Sequence, residues 1–439
     1  MYGANKPGKY QMNKLKSFFE NSNNVMRDSY IWNTLSASIY AMQSAIVLIV
    51  ITHTTGLEDA GIFSIAYAVA SLMYYIGEYG VRKYQVSDIN EEMSFTDYHS
   101  HRIVACVLML AVSLGYVANG YLRLGYSPYK AYIVLVICLT KVVEAYSEVY
   151  FGRFQQVGRL DVSAKTNFYR IMVGVIGCII ALIVTKDMAV SMTVWLVLCI
   201  FALLTSNILV YKDFGTFELK FRWDKIKRIF IECFALFAGY FLLLYVGNAP
   251  KYAIDACMSD VDQACYNFIF MPVFAIGMFA NFIFNPILVK LAHRWDENKI
   301  NVFTRIVVRQ IFVIFGITLL AIAVALTIGP PILGILFNAN LADYKTDLAI
   351  LMIGGGMLAL VNFFAVVVTV MRYQKHLITG YVVLAVAAWF MANRVVRTYG
   401  IRGATVLYTI LMALLALIFA GLMFYFISRR SREVRLKKA

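Results

Sequence analysis

The 439-residue chain is poor in charge: Asp, Glu, Lys and Arg make up 15% of it, against 61% hydrophobic residues. Acidic residues are the scarcer sign, 25 against 40 basic, leaving a formal net charge of +15. No polar gap between its apolar stretches is long enough to fold as a domain. That absence excludes a soluble module, so the basic excess does not point to nucleic acid. It also removes the extramembrane face on which a membrane enzyme acting on polymers or sugar donors builds its site, so an enzyme is not expected. The seven cysteines are scattered without any CxxC spacing, which argues against metal or redox chemistry, and no cofactor is expected.

What the chain has instead is apolar length. A bilayer core needs ~20 mostly apolar residues per helix. Twelve such stretches are read near 30–52, 60–81, 103–124, 129–150, 168–185, 188–211, 229–248, 266–289, 310–329, 347–370, 379–393 and 403–427. Lys and Arg crowd into every second gap. With the N-terminus inside, the cytoplasmic segments hold 31 of the 40 basic residues, counting those at a span's edge with the adjoining loop. Basic residues concentrate in the loops that stay in the cytoplasm, so both termini are expected there, in a bacterial cytoplasmic membrane. The tail RRSREVRLKK and the cytoplasmic loops would meet anionic lipid headgroups. The first apolar stretch is too long for a cleaved signal core and is read as a retained span.

The expected fold class is an all-α polytopic membrane protein of twelve transmembrane helices in two six-helix lobes. The lobes would be residues 1–211 and 229–439, joined by a basic cytoplasmic loop, 212–228. Each begins and ends on the cytoplasmic side, which makes them parallel repeats about an axis along the membrane normal. Weak internal similarity supports this. LEDAGIFSIAYAVAS at 57–71 matches VDQACYNFIFMPVFA at 261–275, and GRFQQVGRLD at 152–161 matches MRYQKHLITG at 371–380. Two lobes with a cleft at their seam suggest a transporter working by alternating access.

Ionisable groups within a bilayer are costly, so each is a functional candidate. The fourth stretch carries Lys141, Glu144 and Glu148 at steps of 3 and 4, on one helical face. Lys141 is the one basic residue the charge rule cannot place. A local Lys141–Glu144 pair would satisfy the bundle without further role; Glu148 lacks a partner at the favoured spacing and favours a water-filled cleft along this face. Polar stripes on the first two stretches include Asn33, Tyr40, Gln43, Tyr67, Tyr74 and Glu78, and helix–helix hydrogen bonding accounts for them equally well. Asn248 and Lys251 close the seventh stretch; Asn281 and Asn285 precede Pro286, a kink candidate with Pro272, in the eighth. Cations lining a cleft suit an anionic group such as pyrophosphate, and Tyr, Asn and Gln suit sugar hydroxyls.

The run AGIFSIAYAVASLMYYIGEYGVRKYQVSD at 60–88 resembles the second helix and following loop of bacterial polysaccharide flippases of the O-antigen type. These belong to the multidrug/oligosaccharidyl-lipid/polysaccharide exporter superfamily. WNTLSASIYAMQSAIVLIVITHTTG, EVYFGRFQQVGRLDVSAKTNFYR and GNAPKYAID at 247–255 are similar to the same family, so the resemblance spans both halves. It implies a flippase moving undecaprenyl-pyrophosphate-linked oligosaccharide units to the outer leaflet. Its cation-lined cleft would involve Arg82, Arg153, Arg170 and Lys251, with acidic coupling positions at Glu144 and Glu148. Membrane lipids, a polysaccharide polymerase and glycosyltransferases are the expected partners, and the flippase is expected to be a monomer. Multidrug antiporters of the superfamily share the twelve-span, two-lobe plan and remain the main alternative. Lipid II flippases resemble a fourteen-span design, two helices more than are expected here.

Overall fold

The computed structural model describes residues 15–88, 90–214 and 220–436, with the side chains of 212, 278–286, 288, 289 and 435 outside that description. Part of the 212–228 loop, and the side chains of Asn281, Asn285 and Pro286, therefore lie outside the described residues. All regular structure among the described residues is helical. The helices are α1 (Val25–Thr54), α2 (Leu57–Glu78), α3 (Val81–Ser87), α4 (Phe95–Arg123), α5 (Pro128–Gln156), α6 (Leu160–Thr185) and α7 (Met188–Ser206). They continue with α8 (Trp223–Cys257), α9 (Asp260–Asp296), α10 (Ile300–Thr327), α11 (Gly329–Leu336), α12 (Lys345–Val370) and α13 (Leu377–Leu436).

Helix starts follow from local chemistry. The Ser94 hydroxyl accepts from the Asp97 amide while the Asp97 carboxylate accepts from the Ser94 amide, a reciprocal cap repeated by Ser259 and Asp262. Ser127 caps α5, with Pro128 in the first turn where its missing N–H costs nothing. Between α2 and α3 the chain turns on Tyr79 (φ 54°) and Gly80 (φ 71°). Gly80 suits that turn twice over, since a side chain there would be strained and would press on Leu236. Gly400, at φ 59°, divides the 60-residue α13 into two arms.

Nine helices among the described residues are long and apolar enough to cross a bilayer. Three features hold that number down, one being that α9 is described only in part. The kinked α13 counts once although each arm carries an apolar stretch, and the apolar length of α5 is interrupted by Lys141, Glu144, Glu148 and Arg153.

The chain divides into two compact units, Met1–Phe237 and Ala238–Ala439, the boundary falling inside α8. In the first unit α5 is the hub, packing against α2, α4, α6 and α7, while α1 packs on α6. In the second the hub is α12, which packs against α9, α10 and α13. Three consecutive glycines let α12 approach all three: a Cβ on Gly354 would strike Tyr408, on Gly355 Ile276, and on Gly356 Thr318. Small residues at contacts are how helices pack in lipid, where no hydrophobic force draws them together.

Candidate functional site

A buried charge cluster sits at the centre of the first unit. Lys141 and Glu144 lie one turn apart on α5, and the Lys141 Nζ donates to Glu144 Oε2 at 3.0 Å. Both side chains are 4% exposed. From α6, Arg170 brings a second cation to the same carboxylate at 3.6 Å. From α1, the Tyr40 hydroxyl donates to Glu144 Oε1 at 2.7 Å. The Lys141 ammonium also lies 5.0, 4.8 and 5.7 Å from the ring centres of Tyr40, Tyr67 and Tyr74, within reach of their negative faces. Gln43 donates to the Tyr67 hydroxyl at 3.1 Å. Asn167 accepts from Arg170 at 2.8 Å and donates to Ser36 at 3.0 Å.

Two cations thus share one carboxylate. The Arg170 Nε has no hydrogen-bond partner among the described residues. The cluster lines a cavity together with Gln43, Thr140 and Trp195; its volume, about 10 Å3, is that of a single water. In this conformation the cluster is closed.

Toward the other end of α5, Glu148 is paired with Arg82 of α3 at 2.9 Å. Arg82 also donates to Gln155 at 3.2 and 3.3 Å and to Ser163 at 3.4 Å. The partner that the spacing within α5 does not supply therefore comes from a separate helix. Glu78 lies beside this region and accepts from the Gly80 amide at 2.8 Å, bracing the left-handed turn.

The remaining candidates make contacts of their own. Arg153 donates to Glu91 at 2.7 Å, to the Phe214 carbonyl at 3.2 Å and to Gln156 at 3.2 Å. Asn33 is exposed on α1. Lys251 and Asn248 are buried in the second unit. There the Lys251 ammonium donates to Asn267 at 2.8 Å and lies 4.3 Å from the centre of the Phe270 ring. It has no carboxylate partner among the described residues.

Three buried polar features escape the sequence reading. Arg102 is fully buried, donates to the Gly77 carbonyl, and leaves Nε and Nη2 without partners among the described residues. His101 beside it is equally buried, and neither ring nitrogen has a partner among the described residues. In the second unit, Asp347 accepts from Arg402 at 2.6 and 3.1 Å and from Thr405 at 3.1 Å, tying α12 to the second arm of α13. Arg102 was countable as a loop cation, and only its neighbours, HSHR at 99–102, hinted at burial.

Comparison with known proteins places this geometry. A family model described as polysaccharide biosynthesis protein matches residues 26–292, well over half the chain. A capsular polysaccharide biosynthesis protein, CapF of Staphylococcus aureus, is 20% identical over 331 residues, covering 74% of this chain and 80% of that protein. Among solved structures, an inward-facing multidrug resistance MATE family transporter of the MOP superfamily matches with a TM-score of 0.62 at 11% identity, covering 89% of this chain and 96% of its own. A MOP superfamily transporter from Pyrococcus furiosus matches with a TM-score of 0.53 at 11% identity, covering 95% and 98%. The fold is therefore that of the MOP superfamily transporters, and the chain is a multi-pass membrane protein.

Proposed function

The chain belongs to the polysaccharide biosynthesis protein family, and from that premise we propose that it is a flippase for polyprenyl-pyrophosphate-linked oligosaccharide units. It would carry them from the inner to the outer leaflet of a bacterial cytoplasmic membrane by alternating access, as one step in making a surface polysaccharide such as capsule. All twelve apolar stretches would cross the membrane, with both termini cytoplasmic and lobes 1–211 and 229–439 joined by 212–228.

The observation that carries this reading is the excess cation around Glu144. A bundle needing only to satisfy one carboxylate is satisfied by Lys141 at 3.0 Å. Arg170, held more loosely at 3.6 Å, keeps donor capacity for another anion. Guanidinium and ammonium groups bind phosphate well, and the hydroxyls and amides of Tyr40, Tyr67, Gln43 and Asn167 suit a sugar's hydroxyls. Because the cavity now holds about one water, substrate would enter by drawing Arg170 away from Glu144. A positive interior does not suit the cationic substrates of a drug antiporter. The name of the Staphylococcus aureus relative supports capsule as the polymer.

Deleting the gene tests the reading. Lipid-linked repeat units should accumulate on the cytoplasmic leaflet and the surface polymer should disappear. Unchanged polymer with new sensitivity to cationic drugs would instead establish an antiporter, and arrest of peptidoglycan synthesis a lipid II flippase.

A further inference from the structure

The first half of α8 carries a groove that transport through the charge cluster leaves unused. It lies wholly within the first unit and has a volume of about 500 Å3. Phe230, Ile231 and Phe234 line it, with Tyr79 packed against Phe230 at 4.9 Å between ring centres, and Trp223 and Lys227 toward the start of the helix. Trp223, Ile231 and Phe234 are each more than half exposed. Along α8 the charged run Asp224, Lys225, Lys227, Arg228 gives way at Ile229 to a stretch in which Glu232 is the one charge before Lys251. Such a change marks where headgroups meet hydrocarbon, and Trp is enriched at that boundary. The groove straddles it.

Charge at its polar end is uncommitted. Arg228 is used by Glu92 at 2.9 Å and Arg222 by Asp97. Lys227 is exposed and unpaired among the described residues, even with Asp224 one turn away. The groove wall is also backed by unmet polar capacity. The His101 ring packs 4.2 Å from that of Phe230 and 6.0 Å from that of Tyr79, with both nitrogens unbonded among the described residues.

We propose that this groove is a binding site for an anionic phospholipid, one acyl chain lying along the exposed Phe230–Phe234 face and the phosphate at Lys227. An apolar trough ending in one unpaired cation matches an amphiphile with a single negative charge. A polyprenyl pyrophosphate, with more negative charge, would leave most of it uncompensated there. The proposal is independent of the flippase reading, since it concerns a lipid held outside the charge cluster.

The test uses the purified full-length protein and native mass spectrometry, with phosphatidylglycerol, phosphatidylcholine and undecaprenyl phosphate as probes. Phosphatidylglycerol should be retained in preference to phosphatidylcholine. Lys227→Glu should cut that retention roughly 5- to 30-fold, from about 1 kcal/mol per interfacial charge, while Lys227→Arg keeps it. Ile231→Ser should weaken retention of every lipid. Unchanged melting of each variant in lipid-free detergent shows that it folds; if Lys227→Glu melts lower, Lys227→Gln takes its place. Equal retention of the two phospholipids, or full retention by the charge variant, overturns the proposal. So does displacement of phosphatidylglycerol by equimolar undecaprenyl phosphate, which would assign the groove to an isoprenoid.

Discussion

Replacing Glu144 by Gln removes the one carboxylate that, among the described residues, Lys141 and Arg170 share. Its side chain is 4% exposed and meets Lys141 at 3.0 Å, Arg170 at 3.6 Å and the Tyr40 hydroxyl at 2.7 Å. Breaking a buried pair by deleting one partner costs about 3–5 kcal/mol, because the other charge is left buried and uncompensated. Here two like charges are left, so the upper part of that range applies. Lys141→Met is milder. Glu144 would keep Arg170 and Tyr40, and the loss is one hydrogen bond to a charged group, about 1–3 kcal/mol. For a unit of this size, ending at Phe237, each kcal/mol moves the melting temperature by about 2–4 °C. Glu144→Gln should therefore lower it by roughly 10 °C and Lys141→Met by roughly 5 °C, read by fluorescence-detected size-exclusion after heating. The double variant should melt between the two, since it relieves the repulsion but strands Arg170. Equal effects of the two single changes would refute the reasoning, because they would mean an isolated Lys–Glu pair with Arg170 outside it.

Arg82→Gln strands Glu148 in the same way and should cost about 1–3 kcal/mol, with Glu148→Gln in the same chain recovering most of the loss in thermal melting. Gly356→Ala drives a methyl into the Thr318 hydroxyl; overpacking should cost about 1–3 kcal/mol, and Thr318→Ala should restore the melting temperature. Burial alone would raise the Asp88 carboxyl, but the Met93 and Glu92 amides and the Tyr98 hydroxyl together hold it below the usual carboxylate range. Its stabilisation is then fully present above the unfolded-state value near ~3.9 and lost as pH falls through the lower folded value. Asp88→Asn should accordingly lower the melting temperature at pH 7, with the gap to wild type narrowing as the pH falls below ~3.9.

The parts of this molecule legible in sequence are those set by local spacing. Steps of 3 and 4 put Lys141, Glu144 and Glu148 on one face of α5, and the first two do bond. Apolar length located the helices, because lipid leaves backbone groups no other partner. What spacing could not supply is every contact made between helices. Arg170 reaches Glu144 from α6, Tyr40 from α1, and Arg82 reaches Glu148 only because Tyr79 and Gly80 turn the chain back. The same limit separates two arginines that read alike in sequence. Arg153, a cleft candidate by resemblance, is bonded to Glu91, Gln156 and the Phe214 carbonyl, whereas Arg102, a residue counted only for topology, is fully buried. Counting charges assigns a side of the membrane and says nothing about depth.

Depth is what makes the charges informative. Among the described residues, the first unit buries Lys141 and Arg170 against one carboxylate and leaves Arg102 without any ion pair. The second buries Lys251 against an amide and two aromatic rings. Each uncompensated cation costs folding free energy that an apolar residue of similar size would avoid. A protein whose interior served stability alone would gain by losing them. A carrier of an anionic headgroup cannot lose them, because the missing negative charge arrives with the cargo and leaves with it. On this argument Arg170→Met should stabilise the resting protein or leave it unchanged while abolishing transport. Loss of stability with transport intact would mark Arg170 as a structural partner of Glu144 and remove the cluster's claim to the substrate.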